Sequence, residues 1–191
     1  MQSYRRQYAD HMRKNKSMST LILVFHPHLQ NGSRVNARLI AELKAQGEED
    51  ITIRDEYAEY PNFAVNVDHE HELLEAADSV ILQFPFYWYS SPALLKEWED
   101  RVITAGWAYG GSHALRGKEL KLVVTTGSGA AKYQKDGEYG RTMDDLLSPF
   151  EVVAYKVGME YAKPFLVQGT ATITDDALDQ AAADYVSAIL D

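Results

Sequence analysis

A chain of 191 residues with 46% apolar and 25% charged side chains has the composition of one globular α/β or α+β domain, able to bury a core without covalent staples. The absence of cysteine excludes disulfides, thiolate nucleophiles, iron–sulfur clusters and cysteine-based zinc sites, and it favours a reducing, cytoplasmic compartment. A net charge of −9 and an isoelectric point near 5.1 argue against a nucleic-acid partner, which clustered Lys and Arg would bind, and apolar runs such as Leu21–Phe25 fall far short of the ~20 residues a membrane-spanning helix needs.

The charge is unevenly placed. Residues 1–18 hold Arg5, Arg6, Arg13, Lys14 and Lys16 against the single acid Asp10, so they read as a basic N-terminal extension and residues 19–191 as the domain. Tyr4, Tyr8 and Met12 recur every four residues, as a thin helical stripe would. The stripe suits a surface helix or partner arm; the extension also suits an organelle-type leader, an expression remnant, or an upstream start ahead of Met18.

From Thr20 onward, strand-sized apolar runs alternate with helical periodicity, which is the pattern of βαβ units and a parallel sheet. Leu21–Phe25 is apolar on both faces, as a strand covered on both sides must be. Ser33 caps a helix with the stripe Val35, Leu39, Ile40 and Leu43, and Gly47 ends it. A second strand follows at Ile51–Ile53, then a loop with Tyr57, Tyr60, Pro61 and Phe63, a short helix from His69 to Ala77, and a third strand at Val80–Phe84. Ser91 before Pro92 reads as an N-cap with proline at the first helical position, opening a helix with Leu94, Leu95, Trp98 and Val102 on one face. Leu120–Thr125 is the fourth strand. Thr142 and Asp145 form a capping box for a helix that Pro149 kinks or restarts, Phe165–Val167 is the fifth strand, and Thr174–Leu190 is a closing helix with Asp175 and Asp176 at its positive end. The expected fold is a flavodoxin-like, doubly wound, five-stranded parallel sheet with helices on both faces.

In such a sheet ligands bind beyond the carboxyl ends of the strands, where strand order reverses, and three loops there are unusual in composition. The segment after the first strand, from His26 to Asn36, leads into a helix start whose unpaired N–H groups and dipole suit a phosphate, with Ser33, Asn36, His26 and Arg34 as further donors. It is neither GxGxxG nor GxxxxGK[ST], which disfavours dinucleotide folds of the Rossmann type and P-loops; the same Ser33 also reads simply as an N-cap. After the third strand, Phe84-Pro85-Phe86-Tyr87-Trp88-Tyr89 offers broad π faces suited to a planar heterocycle, a core plug or a subunit interface. After the fourth, Thr125-Thr126-Gly127-Ser128-Gly129 is small enough for backbone amides to approach a ligand, as it is for any tight turn.

These residues, in this order, resemble a family. His26-Pro27 with Ser33 and Asn36, Phe84-Pro85-x-x-Trp88-Tyr89-x-x-Pro92-x-x-Leu95-Lys96, Gly106-Trp107-Ala108-Tyr109-Gly110 and Thr125-Thr126-Gly127 are similar to the flavodoxin-like NAD(P)H:quinone oxidoreductases. The likeness is to the bacterial group that includes the ancillary oxidoreductases of glutathione-gated potassium-efflux systems and the modulator-of-drug-activity proteins, and it spans Thr20 to Asp191. It implies a bound flavin, FMN rather than FAD, at a homodimer interface, relaying hydride by a ping-pong cycle from NAD(P)H to a quinone or similar small electrophile. By matching position, His26, Ser33, Arg34, Val35 and Asn36 would surround the phosphate and ribityl chain. Pro85, Phe86, Tyr87, Trp88 and Tyr89 would line one side of the ring, and Thr125, Thr126, Gly127 and Ser128 would meet its pyrimidine edge. Tyr133 and Tyr139 match a Tyr and a His that assist hydride transfer in the mammalian quinone reductases. Two departures stand out: Ser128 replaces a frequent second glycine, and Tyr139 replaces the histidine. Two other readings are a regulatory subunit partnered with a membrane potassium-efflux antiporter, and a one-electron carrier of flavodoxin type. His26-x-His28 and His69-x-His71 lack the spacing of a full metal-ligand set, so no metal is expected.

Overall fold

The structure, a computed structural model, describes residues 18–190; the helical stripe expected from Tyr4, Tyr8 and Met12 lies outside them. Six strands, β1 (Thr20–Val24), β2 (Ile51–Asp55), β3 (Ser79–Pro85), β4 (Glu119–Thr126), β5 (Glu160–Tyr161) and β6 (Phe165–Gln168), alternate with helices α1 (Arg34–Lys44), α2 (Glu56–Glu59), α3 (Val67–Ala76), α4 (Ala93–Val102), α5 (Met143–Val157) and α6 (Asp175–Leu190). The strands are parallel, in the order β2-β1-β3-β4-β5, with β6 also paired to β4. The expected fifth strand is therefore two short ones: β5 pairs with Glu119 and Leu120, and β6 pairs farther along with Val123–Thr126. Pro164, which has no N–H to give a ladder, stands between them.

Alternation along β1 builds the two layers. Leu21, Leu23 and Phe25 pack with Leu94, Leu95, Trp98, Leu147 and Phe150, whereas Ile22 and Val24 pack with Leu39, Leu43, Leu178 and Tyr185. Helices α3, α4 and α5 thus cover one face of the sheet and α1 and α6 the other, as strands apolar on both faces require.

Local chemistry sets the helix ends, with two departures from expectation. The capping box at Thr142 and Asp145 forms. Pro149 stays inside α5 without ending it, and the Asp145 carbonyl that its missing N–H would have served accepts from Ser148 Oγ at 2.8 Å. Ser91 does not cap α4: Pro92, with ψ 153°, holds the cap position, and the Leu94 N–H donates to the Tyr57 hydroxyl at 3.3 Å. The short helix expected from His69 starts at Val67, with Asn66 capping the His69 N–H.

A buried ionic cluster fastens α3 to the edge strand. The Arg54 guanidinium donates to Glu56 at 2.9 Å and to Glu70 at 3.0 Å, and Glu70 also accepts from the Tyr60 hydroxyl and Trp98 Nε1. Both carboxylates are fully buried, and Glu56 Oε2 finds no hydrogen-bond partner among the described residues. Burial, reinforced by Glu70, pushes the Glu56 carboxyl up to about 7.

Candidate cofactor site at the carboxyl edge

The chain leaves β1 toward β2 on one side and returns to β3 on the other, so the loops that follow their carboxyl ends diverge and open a crevice. There a cavity of about 300 Å³ is bounded by His26, Gly32, Ser33, Arg34, Val35 and Asn36 before and within α1, by Pro85, Phe86 and Tyr87 after β3, and by Thr125, Gly127 and Thr170. Larger hollows of about 760 and 530 Å³ open around Met18 near the opposite, amino ends of the strands, and one of about 610 Å³ is lined by Lys135, Gly140, Arg141, Asp145 and Leu146.

Some of the donors at the α1 end are unspent. Ser33 occupies the N-cap position yet its side chain makes no cap bond, which leaves its hydroxyl and the first-turn amides available. His26 Nδ1 accepts from the His28 N–H at 3.0 Å, so the ring proton belongs on Nε2. Burial, and next the neighbouring His28, lower the His26 pKa, so at neutral pH it is an uncharged donor.

Two of the expected phosphate ligands also bond to other parts of the chain. Arg34 lines the cavity, but its guanidinium donates to the Ile173 carbonyl at 2.7 Å and to Asp175 at 2.5 Å, tying α1 to α6. Asn36 is 2% exposed. Its Nδ2 donates to Thr125 Oγ1 at 2.9 Å, its Oδ1 accepts from Gln83 Nε2 at 3.1 Å, and Gln83 Oε1 accepts from the Tyr185 hydroxyl at 2.8 Å. That amide is therefore a strut joining α1, β3, β4 and α6, with its oxygen and one of its two N–H hydrogens engaged while the residue still lines the cavity.

The loop after β4 spends its side chains on shape. Thr126 Oγ1 donates to the Ser128 carbonyl at 2.7 Å, and the same carbonyl accepts from the Gly169 N–H at 2.9 Å. Gly127 has no positive φ, and a Cβ on it would meet nothing within 4 Å. Neither its backbone nor the packing demands glycine, so the space is open to a bound group, which is the condition a ring edge seated on its amide requires.

The aromatic loop is the most strained part of the site. Tyr87 and Ser90 exchange backbone hydrogen bonds at 3.0 Å across a two-residue turn whose central residues, Trp88 and Tyr89, have φ of 50° and 63°. This is the mirror-type hairpin turn that Asn-Gly usually fills; for two aromatic residues it costs about 1–2 kcal/mol each. Trp88 is 93% exposed, and Trp88 and Tyr89 stand outside the cavity wall.

Thr126, Ser128, Tyr133 and Tyr139 also lie outside that wall. Tyr133 is buried, its ring 6.3 Å from Phe86, and burial raises its phenol. The Tyr139 ring lies 4.9 Å from Tyr133 and 5.1 Å from Tyr89, and its hydroxyl is 2.8 Å from Ser128 Oγ. Sequence reasoning missed Gly32 and Thr170; the latter follows β6, whose carboxyl end the same edge rule would have added.

A family model described as Flavodoxin-like fold matches residues 18–189. The chain belongs to this flavodoxin-like family. Among curated relatives, the uncharacterized NAD(P)H oxidoreductase YrkL of Bacillus subtilis is 45% identical over 175 residues, 90% of this chain and 99% of that protein. The glutathione-regulated potassium-efflux system ancillary protein KefG of Pectobacterium atrosepticum is 40% identical over 166 residues, 86% and 89% of the two chains. Among solved structures, general stress protein 14 of Treponema denticola in complex with FMN superimposes with a TM-score of 0.82 at 35% identity, over 90% and 97% of the chains. An NADPH-quinone reductase from P. pentosaceus gives 0.81, also at 35% identity and the same coverage.

Proposed function

We propose that the chain is an FMN-dependent NAD(P)H oxidoreductase that reduces quinones or similar electrophiles. The observation that carries the reading is the crevice between β1, β3 and β4, with unspent donors at one end and an unfilled glycine at the other. The Ser33 hydroxyl, the His26 Nε2–H and the first-turn amides of α1 would hold the phosphate. Pro85, Phe86 and Tyr87 would flank the ring, and the Gly127 and Ser128 amides would meet its pyrimidine edge. FMN supplies the hydride chemistry. The protein positions donor and acceptor in turn at one mouth, the ping-pong order, and its amides offset negative charge there.

The same reading makes the chain a homodimer. Tyr87, Trp88 and Tyr89 leave apolar surface at the mouth, and a second copy would cover it, with the segment around Trp107–Tyr109 closing its neighbour's site. Within its own chain Trp107 is stacked on His71 at 3.6 Å and donates to Glu75 at 2.7 Å, which gives that segment a fixed shape. No helix among the described residues is long and apolar enough to cross a membrane, and with no cysteine in the chain we place the protein in the cytoplasm.

The visible absorption spectrum of freshly purified protein tests the central claim. A yellow preparation that releases about one FMN per chain on denaturation supports it; a colourless one that also fails to take up added FMN refutes it. The likeness to KefG favours a second role, as an ancillary subunit on a potassium-efflux antiporter. Co-purification with the transporter, and direct oxidation of NAD(P)H without it, separate the two roles. A flavodoxin-type carrier would need a separate reductase.

A further inference from the structure

The segment after β2 supplies no residue to the cavity wall, yet it is bonded to two of the loops that form that wall. Asp55, the N-cap of α2, accepts from the Ala58 N–H at 3.3 Å and from Gln30 Nε2 at 3.1 Å, and Gln30 belongs to the loop that leads into α1. Two residues on, the Tyr57 hydroxyl accepts from the Leu94 N–H at 3.3 Å, at the start of α4, where the cap residue Pro92 has no side-chain acceptor to offer. The footing of α2 is firm. Glu56 sits in the buried cluster with Arg54 and Glu70, and Glu70 also accepts from Trp98 Nε1 at 2.8 Å, so α4 is tied to the same footing one turn after its start.

The aromatic loop runs directly into that start. The Phe86 N–H donates to the Thr125 carbonyl at 2.8 Å, Tyr87 and Ser90 close the two-residue turn, and α4 begins at Ala93. Trp88 and Tyr89, both at positive φ, therefore hang between two fixed ends, and a strained turn keeps its shape only where its surroundings over-determine it. Burial raises the Tyr57 phenol, and Tyr87, which lines the cavity, lies near enough to add to that rise. We infer that Tyr57 is a positioning residue for the aromatic wall: its hydroxyl replaces the absent side-chain cap of α4 and so fixes where Tyr87 faces a bound planar ring. The inference rests on the flavin reading of the preceding subsection. It concerns the ring end of the site and leaves the phosphate end alone, so its effect is common to FMN and to riboflavin, which carries the same ring without the phosphate.

The test is Tyr57→Phe in the full chain, titrated by fluorescence with FMN and with riboflavin at a temperature where parent and variant are both folded. Both flavins should bind about fivefold more weakly, the weight of one neutral hydrogen bond, whereas Ser33→Ala should weaken FMN alone. Adding Pro92→Ser to Tyr57→Phe places a hydroxyl at the N-cap of α4, within reach of the Leu94 N–H, and should return both dissociation constants to the parent values. Parental dissociation constants in Tyr57→Phe, whatever its melting temperature, overturn the positioning role and leave the flavin reading intact. So does a loss confined to FMN, or a Pro92→Ser rescue that restores melting without restoring binding. A parent chain that binds neither flavin overturns the reading beneath as well.

Discussion

Ser33 and Asn36 lie three residues apart at one helix start, yet the structure gives them different work, and two single substitutions separate the two roles. Ser33→Ala removes a hydroxyl that makes no cap bond among the described residues. The flavin-free protein should therefore melt at the parent temperature, while FMN, losing one hydrogen bond to a charged group worth about 1.5–3 kcal/mol, should bind about ten- to a hundredfold more weakly. Asn36→Ala breaks the buried strut from α1 to Thr125 and Gln83. It orphans the Gln83 amide hydrogen and the Thr125 hydroxyl, at about 1–3 kcal/mol each, so a loss of about 3 kcal/mol is expected. At about 2–4 °C per kcal/mol for a domain of this size, the melting temperature should drop by roughly 10 °C with or without flavin. Thermal melts of flavin-free protein, paired with fluorescence titration of FMN at a temperature where both variants are folded, read the two effects apart. A Ser33 variant that melts far below the parent, or an Asn36 variant with unchanged melting and lost FMN, would refute the assignment.

Replacing Tyr133 and Tyr139 together by Phe should slow flavin reduction by NAD(P)H by roughly 10²-fold in stopped flow with FMN content unchanged, the usual scale for lost donors at a developing charge; a rate that falls only on replacement by Ala would assign the rings a role of shape. Trp88→Gly relaxes a left-handed residue and removes a ring that the proposed second copy would cover, so the dimer should dissociate at higher protein concentration, and an unchanged dimer dissociation constant would refute that covering role. The Glu56 carboxyl, about 7 when folded against about 4.5 when unfolded, keeps a proton that the unfolded chain loses as pH rises. Its contribution to stability therefore declines between about pH 4.5 and 7, and Glu99, also raised to about 7 by burial, adds a slope of the same sign. Glu56→Gln should flatten the fall of melting temperature across that window, and an unchanged slope would assign it to other groups.

Much of the fold was legible because periodicity reports burial directly. A run such as Leu21–Phe25, apolar on both faces, leaves few architectures besides a strand between two helical layers, and the strand–helix alternation then orders the sheet. The three site loops were legible for a related reason: such sheets gather ligands at their carboxyl edge, and the loops there carried helix-start donors, clustered aromatics and small residues in a recognisable order. Side-chain commitments were not legible, because they depend on partners distant in sequence. Asn36 and Arg34 read as donors near a phosphate, and only the structure shows that Asn36 also bonds Thr125 and Gln83 and that Arg34 also bonds Asp175. Ser91 loses the cap of α4 to a tyrosine 34 residues upstream. The split of the last strand and the contact between Ser128 and Tyr139 likewise belong to tertiary structure alone. Sequence pattern determines which residues must leave water, whereas the pairing of polar groups is a competition settled by three-dimensional proximity once the core has formed.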